Sequence, residues 1–141
     1  MRTPQGARAN FRLPVLVYYE DTDAAGVVYY ANYLRFMERA RTEWLGSIGF
    51  DLATLEREQR IVFVVHRVDI EFRRPARLLD QLDVTLTLLS AGHATMVAGQ
   101  SVCRGDETLT EARVSLACLD RETWRPARIP APLAASLEAL L

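Results

Sequence analysis

From Tyr33 onward, apolar residues recur at helical spacing: Tyr33, Phe36, Met37, Ala40, Trp44, Leu45 and Ile48 fall on one face. Arg35, Glu38, Arg39, Arg41 and Glu43 fill the other face. Glu38 and Arg41, and Arg39 and Glu43, stand three and four positions apart, the spacing at which opposite charges support a helix. Gly46 and Gly49 end this predicted helix after roughly five turns. Before it, "FRLPVLVYYED" alternates and is rich in β-branched and aromatic residues, which predicts a strand over 12–20. After it, Asp51 is a suitable N-cap for a short second helix in "FDLATLEREQ".

Four strand-like runs follow: "IVFVVHRVDIEFRRPA", "QLDVTLTLLSA", "TMVAGQSVCRG" and "TLTEARVSLACLD". Turn signals separate them at Pro75 to Asp80, Ala91-Gly92-His93 and Gly105-Asp106-Glu107. Links this short predict that each strand pairs antiparallel with the next, because a parallel pair needs a crossover of a dozen residues or more. The end, "PAPLAASLEALL", predicts a last helix over one edge. One sheet and one principal helix make an α+β domain. Residues 1–10 read as a flexible tail and 11–141 as one domain.

The length of 141 residues suits one domain, and with half of them hydrophobic there is enough for a real core. The balance of 17 basic and 18 acidic residues argues against a nucleic-acid-coating protein, which carries a basic excess. No run approaches the apolar length needed to span a bilayer, and "MRTPQGARAN" lacks an apolar signal region. The expectation is a cytoplasmic protein. Cys103 and Cys118 have no CxxC spacing and read as buried strand thiols.

The candidate chemistry lies in Tyr18 to Tyr33, "YYEDTDAAGVVYYANY". Asp21 and Asp23 do not make a calcium loop, since position 25 is Ala and the D-x-[DN]-x-[DN]-G pattern fails. No His–Cys cluster is at hand for zinc, and no phosphate-binding glycine loop or G-x-S-x-G elbow occurs. His66 falls in a predicted strand and His93 in a hairpin turn. Asp-Thr-Asp is thus a strand-to-helix junction, where aspartates also serve as ordinary caps. Gly26 permits close approach of backbone to a ligand. A helix start near Tyr29–Ala31 offers unpaired N–H groups to a carbonyl oxygen that becomes negative. A carboxylate beside such a site is a minimal hydrolase constellation.

The run "VYYEDTDAAGVVYYANYLRFMERARTEWL" resembles hotdog-fold thioesterases of the 4-hydroxybenzoyl-CoA thioesterase class, most closely YbgC-like acyl-CoA thioesterases associated with the Tol–Pal cluster. The segment "IEFRRPARLLDQLDV" supports the resemblance, which covers residues 12–130. It implies a five-stranded antiparallel sheet wrapped around one long helix. It implies Asp23 as the catalytic carboxylate and the backbone N–H at Tyr30 as the group that polarises the thioester carbonyl. Gly26, Val27 and Tyr29 belong to the same substrate loop. Glu38 matches an acid that reads the substrate ring in benzoyl-type members, and Phe63 is a candidate pocket wall. His93 is the one positive charge in the hairpin "SAGHATM", which supplies arginines to CoA phosphates in those members; Arg73, Arg74 and Arg77 are candidate substitutes. Typical YbgC-like members carry His where this chain has Tyr30.

The resemblance further implies an acyl-CoA or acyl-carrier-protein substrate and no cofactor or metal. It also implies a homodimer or a dimer of dimers (a homotetramer), with active sites at subunit interfaces. Peripheral association with envelope or phospholipid enzymes fits the alternative function, a non-catalytic acyl-binding or scaffold protein. A hotdog dehydratase would need a His with an acid, a context neither His66 nor His93 has.

Overall fold

The amphipathic stretch is helix α1 (Asn32–Ser47), about 24 Å long, in a computed structural model that describes residues 9–141. It buries Tyr33, Phe36, Met37, Ala40, Trp44 and Leu45. The two ion pairs expected along it do not close among the described residues. Arg41 instead donates to Gln100, and Arg39 lies over the Phe36 ring, 5.9 Å from its centroid. Asp51 caps α2 (Leu52–Thr54) as expected, its carboxylate accepting from the Thr54 N–H at 2.9 Å. A π-turn over Leu55–Gln59 follows, and Arg60 leaves it in the left-handed region.

The strands are β1 (Phe11–Leu16), β2 (Ile61–Phe72), β3 (Gln81–Ala91), β4 (Thr95–Arg104) and β5 (Glu107–Asp120). β1 is shorter than expected because the chain turns through a 3₁₀ turn at Tyr19–Asp21. Helix α3 (Ala131–Glu138) packs on β3. Residues 1–8 of the expected tail lie outside the described residues, while Asn10 is tied to β3, its Oδ1 accepting the Leu88 N–H at 2.7 Å.

All five strands pair antiparallel, in the order β1-β3-β4-β5-β2. This corrects one expectation. β2 and β3 are consecutive in sequence, yet β5 and β4 lie between them. Three strand spacings are about 14 Å, and residues 73–80, fully extended, reach about 26 Å. The link crosses the ends of β4 and β5 and is fastened there. The Arg73 and Arg74 N–H groups donate to the Leu109 carbonyl, and Arg104 donates to the Pro75 carbonyl and to the Asp80 carboxylate at 2.7 Å.

Period-two alternation sets the inner face of the sheet. Leu82, Val84, Leu86 and Leu88 of β3, Met96, Ala98 and Val102 of β4, and Ala112, Val114, Leu116 and Cys118 of β5 are all buried. Gln100 interrupts this set. It is fully buried, and its Nε2 donates to the Met37 carbonyl of α1. Register shifts leave His66, Leu89 and Leu109 as extra residues in β2, β3 and β5, and such bulges bend and twist a sheet. Both cysteines are buried, and burial pushes the Cys118 thiol up to about 11.

Candidate active site

Asp23 opens a tight loop. Its N–H donates to the Val27 carbonyl at 2.8 Å, and its carbonyl accepts from the Gly26 N–H at 3.0 Å. One carboxylate oxygen, Oδ1, accepts from the Ala25 N–H at 2.9 Å and more weakly from the Val27 N–H at 3.4 Å. Gly26 sits at φ +81, a region that costs other L-residues about 1–2 kcal/mol. The loop therefore presents Asp23 to solvent with its orientation set by its own backbone. Oδ2 meets no donor among the described residues.

Asp21 plays a different part. Its Oδ2 accepts from the Tyr18 N–H at 2.9 Å, and its carbonyl accepts both the Tyr29 N–H at 3.0 Å and the Asn32 Nδ2 at 2.9 Å. Those two bonds tie the start of α1 to the loop. The Thr22–Val28 bridge sets Asp23 opposite Val27 and Asp21 opposite Tyr29, and Tyr30 follows in the turn that leads into α1. Ala31 caps α1 without a side-chain bond, and among the described residues the N–H groups of Tyr30 and Ala31 meet no acceptor. The positive end of the helix dipole lies at the same place.

The crossover link locks this arrangement from below. Val28 N–H donates to the Ala76 carbonyl at 2.9 Å, Val27 bridges Arg77, and the buried Tyr33 hydroxyl accepts the Ala76 N–H at 3.0 Å. Burial holds the Tyr33 phenol above its ordinary pKa. Around the loop an unusual number of large apolar side chains face solvent: Tyr18, Tyr19, Tyr29, Tyr30, Phe72 and Leu79. Tyr30 is edge-on to Tyr29 and to Phe72 of β2.

Farther along α1, cavities lie between the helix and β2. Leu34, one turn beyond Tyr30, lines a cavity of ≈ 240 Å³ with Val65 and Val68. A second cavity of ≈ 360 Å³ lies deeper, walled by Trp44, Leu45, Phe63, Met96 and Leu116. Glu38 and Arg41 line both. The predicted residues Glu38 and Phe63 thus meet in one cavity, away from the Asp23 loop. His93 does not join either group. It sits past the far end of β3, about 33 Å of strand from Asp80, in a surface hollow with Arg128 and Glu138. Of the three substitute arginines, Arg73 pairs with Glu71 and Glu111, and Arg74 with Glu107. Arg77 closes no ion pair among the described residues and lies beside Val27.

An antiparallel sheet in this strand order, packed on one long helix whose uncapped start adjoins an exposed carboxylate loop, is the hotdog fold of thioester-cleaving proteins. The chain belongs to the thioesterase-like superfamily, whose family model matches residues 17–137. It is 42% identical over 130 residues to the acyl-CoA thioesterase YbgC of Haemophilus influenzae, an alignment covering 92% of this chain and 96% of that one. It is 41% identical over 129 residues to the acyl-CoA thioester hydrolase YbgC of Escherichia coli, covering 91% and 96%. Among solved structures, a 1,4-dihydroxy-2-naphthoyl-CoA thioesterase from Synechocystis superposes with a TM-score of 0.85 at 26% identity, over 92% of this chain and 96% of that one.

Sequence reasoning missed Gln100. A polar residue in the inward register of β4, between Ala98 and Val102, was the available signal.

Proposed function

We propose that the protein is an acyl-CoA thioester hydrolase in which Asp23 is the catalytic carboxylate and the start of α1 receives the oxyanion. The observation that carries this is a solvent-facing, loop-oriented carboxylate whose loop leads straight into a helix start with N–H groups that meet no acceptor among the described residues. The YbgC relatives point to the same activity. Thioester hydrolysis suits so spare a site. The departing thiol has an ordinary pKa of about 8.5, so it leaves as thiolate without a strong acid. Attack on the carbonyl carbon moves an electron pair onto its oxygen, where the Tyr30 and Ala31 N–H groups receive the charge. The C–S bond then breaks and the acyl group leaves as free acid. Asp23 serves either as general base to a water or as nucleophile through a mixed anhydride that water then cleaves.

Gly26, Val27 and Tyr29 shape the mouth, and Glu38 and Phe63 face the acyl group in the groove. The CoA part, or the phosphopantetheine of a carrier protein, meets Arg77 at the loop. His93 lies too far along β3 to reach Asp23 of its own chain, so it contributes only from a second copy. A second copy also answers two features of the surface. β2 is a twelve-residue edge strand, and the exposed apolar side chains gather at the Asp23 end. We therefore read the working form as a homodimer or dimer of dimers, cytoplasmic and without a cofactor. No helix among the described residues is long and apolar enough to cross a membrane.

The test is a hydrolysis screen over short, long, branched and aromatic acyl-CoAs, with Asp23→Asn as the blank. Wild type should release CoA from at least one class. Asp23→Asn should lose at least about a hundredfold in kcat with an unchanged melting curve. A variant that keeps most of the wild-type kcat would overturn the assignment.

A further inference from the structure

We infer that Arg41 selects the acyl group, taking a hydrogen-bond-accepting oxygen carried by the acyl chain in the groove between α1 and β2. This rests on the thioesterase reading above. Two cavities lie along one helix face between α1 and β2, past Leu34, Glu38, Arg41 and Leu45, opposed by Val68, Val65 and Phe63 of β2. Most of the lining is apolar, as an acyl chain requires, with Arg35, Glu38, Arg41 and Thr42 as the polar members. Arg41 stands about 14 Å along the helix axis from Asn32, well past the thioester.

The guanidinium is placed there at a cost. It is largely withdrawn from water, and burial lowers its pKa from the ordinary value. Its one hydrogen-bond partner among the described residues is neutral, the Gln100 Oε1 at 3.0 Å. Gln100 is itself fully buried and anchored to the Met37 carbonyl, so the fork is held in one orientation. A guanidinium carries five N–H donors, and one bond leaves most of them unanswered. Glu38 lines the same cavities but is exposed and closes no ion pair with Arg41 among the described residues.

Guanidinium donors left unanswered beside a largely apolar cavity call for an acceptor. A carboxylate, a hydroxyl or a keto oxygen on the chain would supply one. A plain hydrocarbon chain would bury the same donors without answering them, and sites of this kind reject such analogues strongly.

The experiment compares kcat/KM for CoA thioesters in matched chain-length series, unsubstituted, ω-carboxylated and ω-hydroxylated, in wild type, Arg41→Met and Arg41→Lys. Wild type should favour an oxygenated series over its unsubstituted match by at least about tenfold at the length that reaches Arg41. Whether the carboxylated or the hydroxylated series carries the preference identifies the group. In Arg41→Met the ratio should fall to near one, and in Arg41→Lys it should lie between. If Arg41→Met does not fold, the Lys variant alone must lower the ratio. A wild-type ratio near one, or one that no Arg41 variant moves, overturns the inference; pairing of Arg41 with a carboxylate of a second copy would produce that result. If wild type cleaves no thioester in any series, the thioesterase reading itself fails.

Discussion

The proposed roles of Asp23 and Tyr30 divide the chemistry between side chain and backbone. On that proposal Asp23 must keep its carboxylate, whereas Tyr30 would contribute an N–H that any residue except proline supplies. Its phenol is exposed and, among the described residues, its ring meets Tyr29 and Phe72 edge-on. Tyr30→Phe is therefore expected to hydrolyse the preferred acyl-CoA within a few-fold of the wild-type kcat. A loss on the scale of an oxyanion donor, roughly 10²–10³, would show that the hydroxyl takes part. Asp21, two residues before Asp23, is a builder of the loop: its carboxylate is occupied by the Tyr18 N–H and its carbonyl fastens the helix start. The pattern marked Asp21 and Asp23 as a strand-to-helix junction, and only the family resemblance singled out Asp23 as the candidate carboxylate. Arg41 was not, because helical spacing offered it Glu38 as a partner and only the fold brought Gln100 within reach.

At the scale of elements, the link from β2 to β3 decides whether the site keeps its shape. It carries Ala76 under the loop, and the Tyr33 hydroxyl is the acceptor for the buried Ala76 N–H. Tyr33→Phe removes that acceptor, leaving a buried donor unsatisfied. The expected loss is about 1–3 kcal/mol, read from urea unfolding. The same link ends at Asp80. Burial opposes its ionisation, but hydrogen bonds from the Arg77 N–H and the Arg104 guanidinium outweigh it and hold the carboxyl below its ordinary value. A depressed folded pKa gives stability that is complete above the unfolded value of about 3.9 and is lost as pH falls through the folded value. Asp80→Asn should therefore flatten the acid limb of the melting temperature against pH while leaving its slope near neutrality unchanged. An acid limb identical to wild type would rule out this role for Asp80.

For the whole molecule, the two sheet edges are unequal. β1 spans six residues and carries Pro14, whereas β2 spans twelve and lies against the groove that holds Glu38 and Arg41. Long unprotected edges invite pairing with another chain. The aromatic and leucine side chains exposed around Asp23 continue the same surface. Sedimentation should accordingly show a mass of at least two chains at micromolar concentration. If the site is completed across an interface as proposed, specific activity should fall on dilution in step with dissociation. Full specific activity in a demonstrated monomer would remove the second copy from the mechanism.

Period and turn chemistry are local, and they settled the elements of this protein before any contact was known. The helical repeat from Tyr33, the Asp51 cap and the three strands from Gln81 to Asp120 all stand where their patterns place them. The Asp23 loop was equally legible, since its bonds join residues within four positions of one another. Strand order was not. A short link limits how far two strands can lie apart, not which strand pairs between them, so the place of β2 beyond β5 followed from burial and edge pairing across the whole sheet. The Arg41–Gln100 contact joins residues 59 positions apart, and no local signal predicts a partner at that range. The residues proposed for the chemistry sit in locally legible segments; what surrounds them, and which of their hydrogen bonds are left open, came from long-range packing.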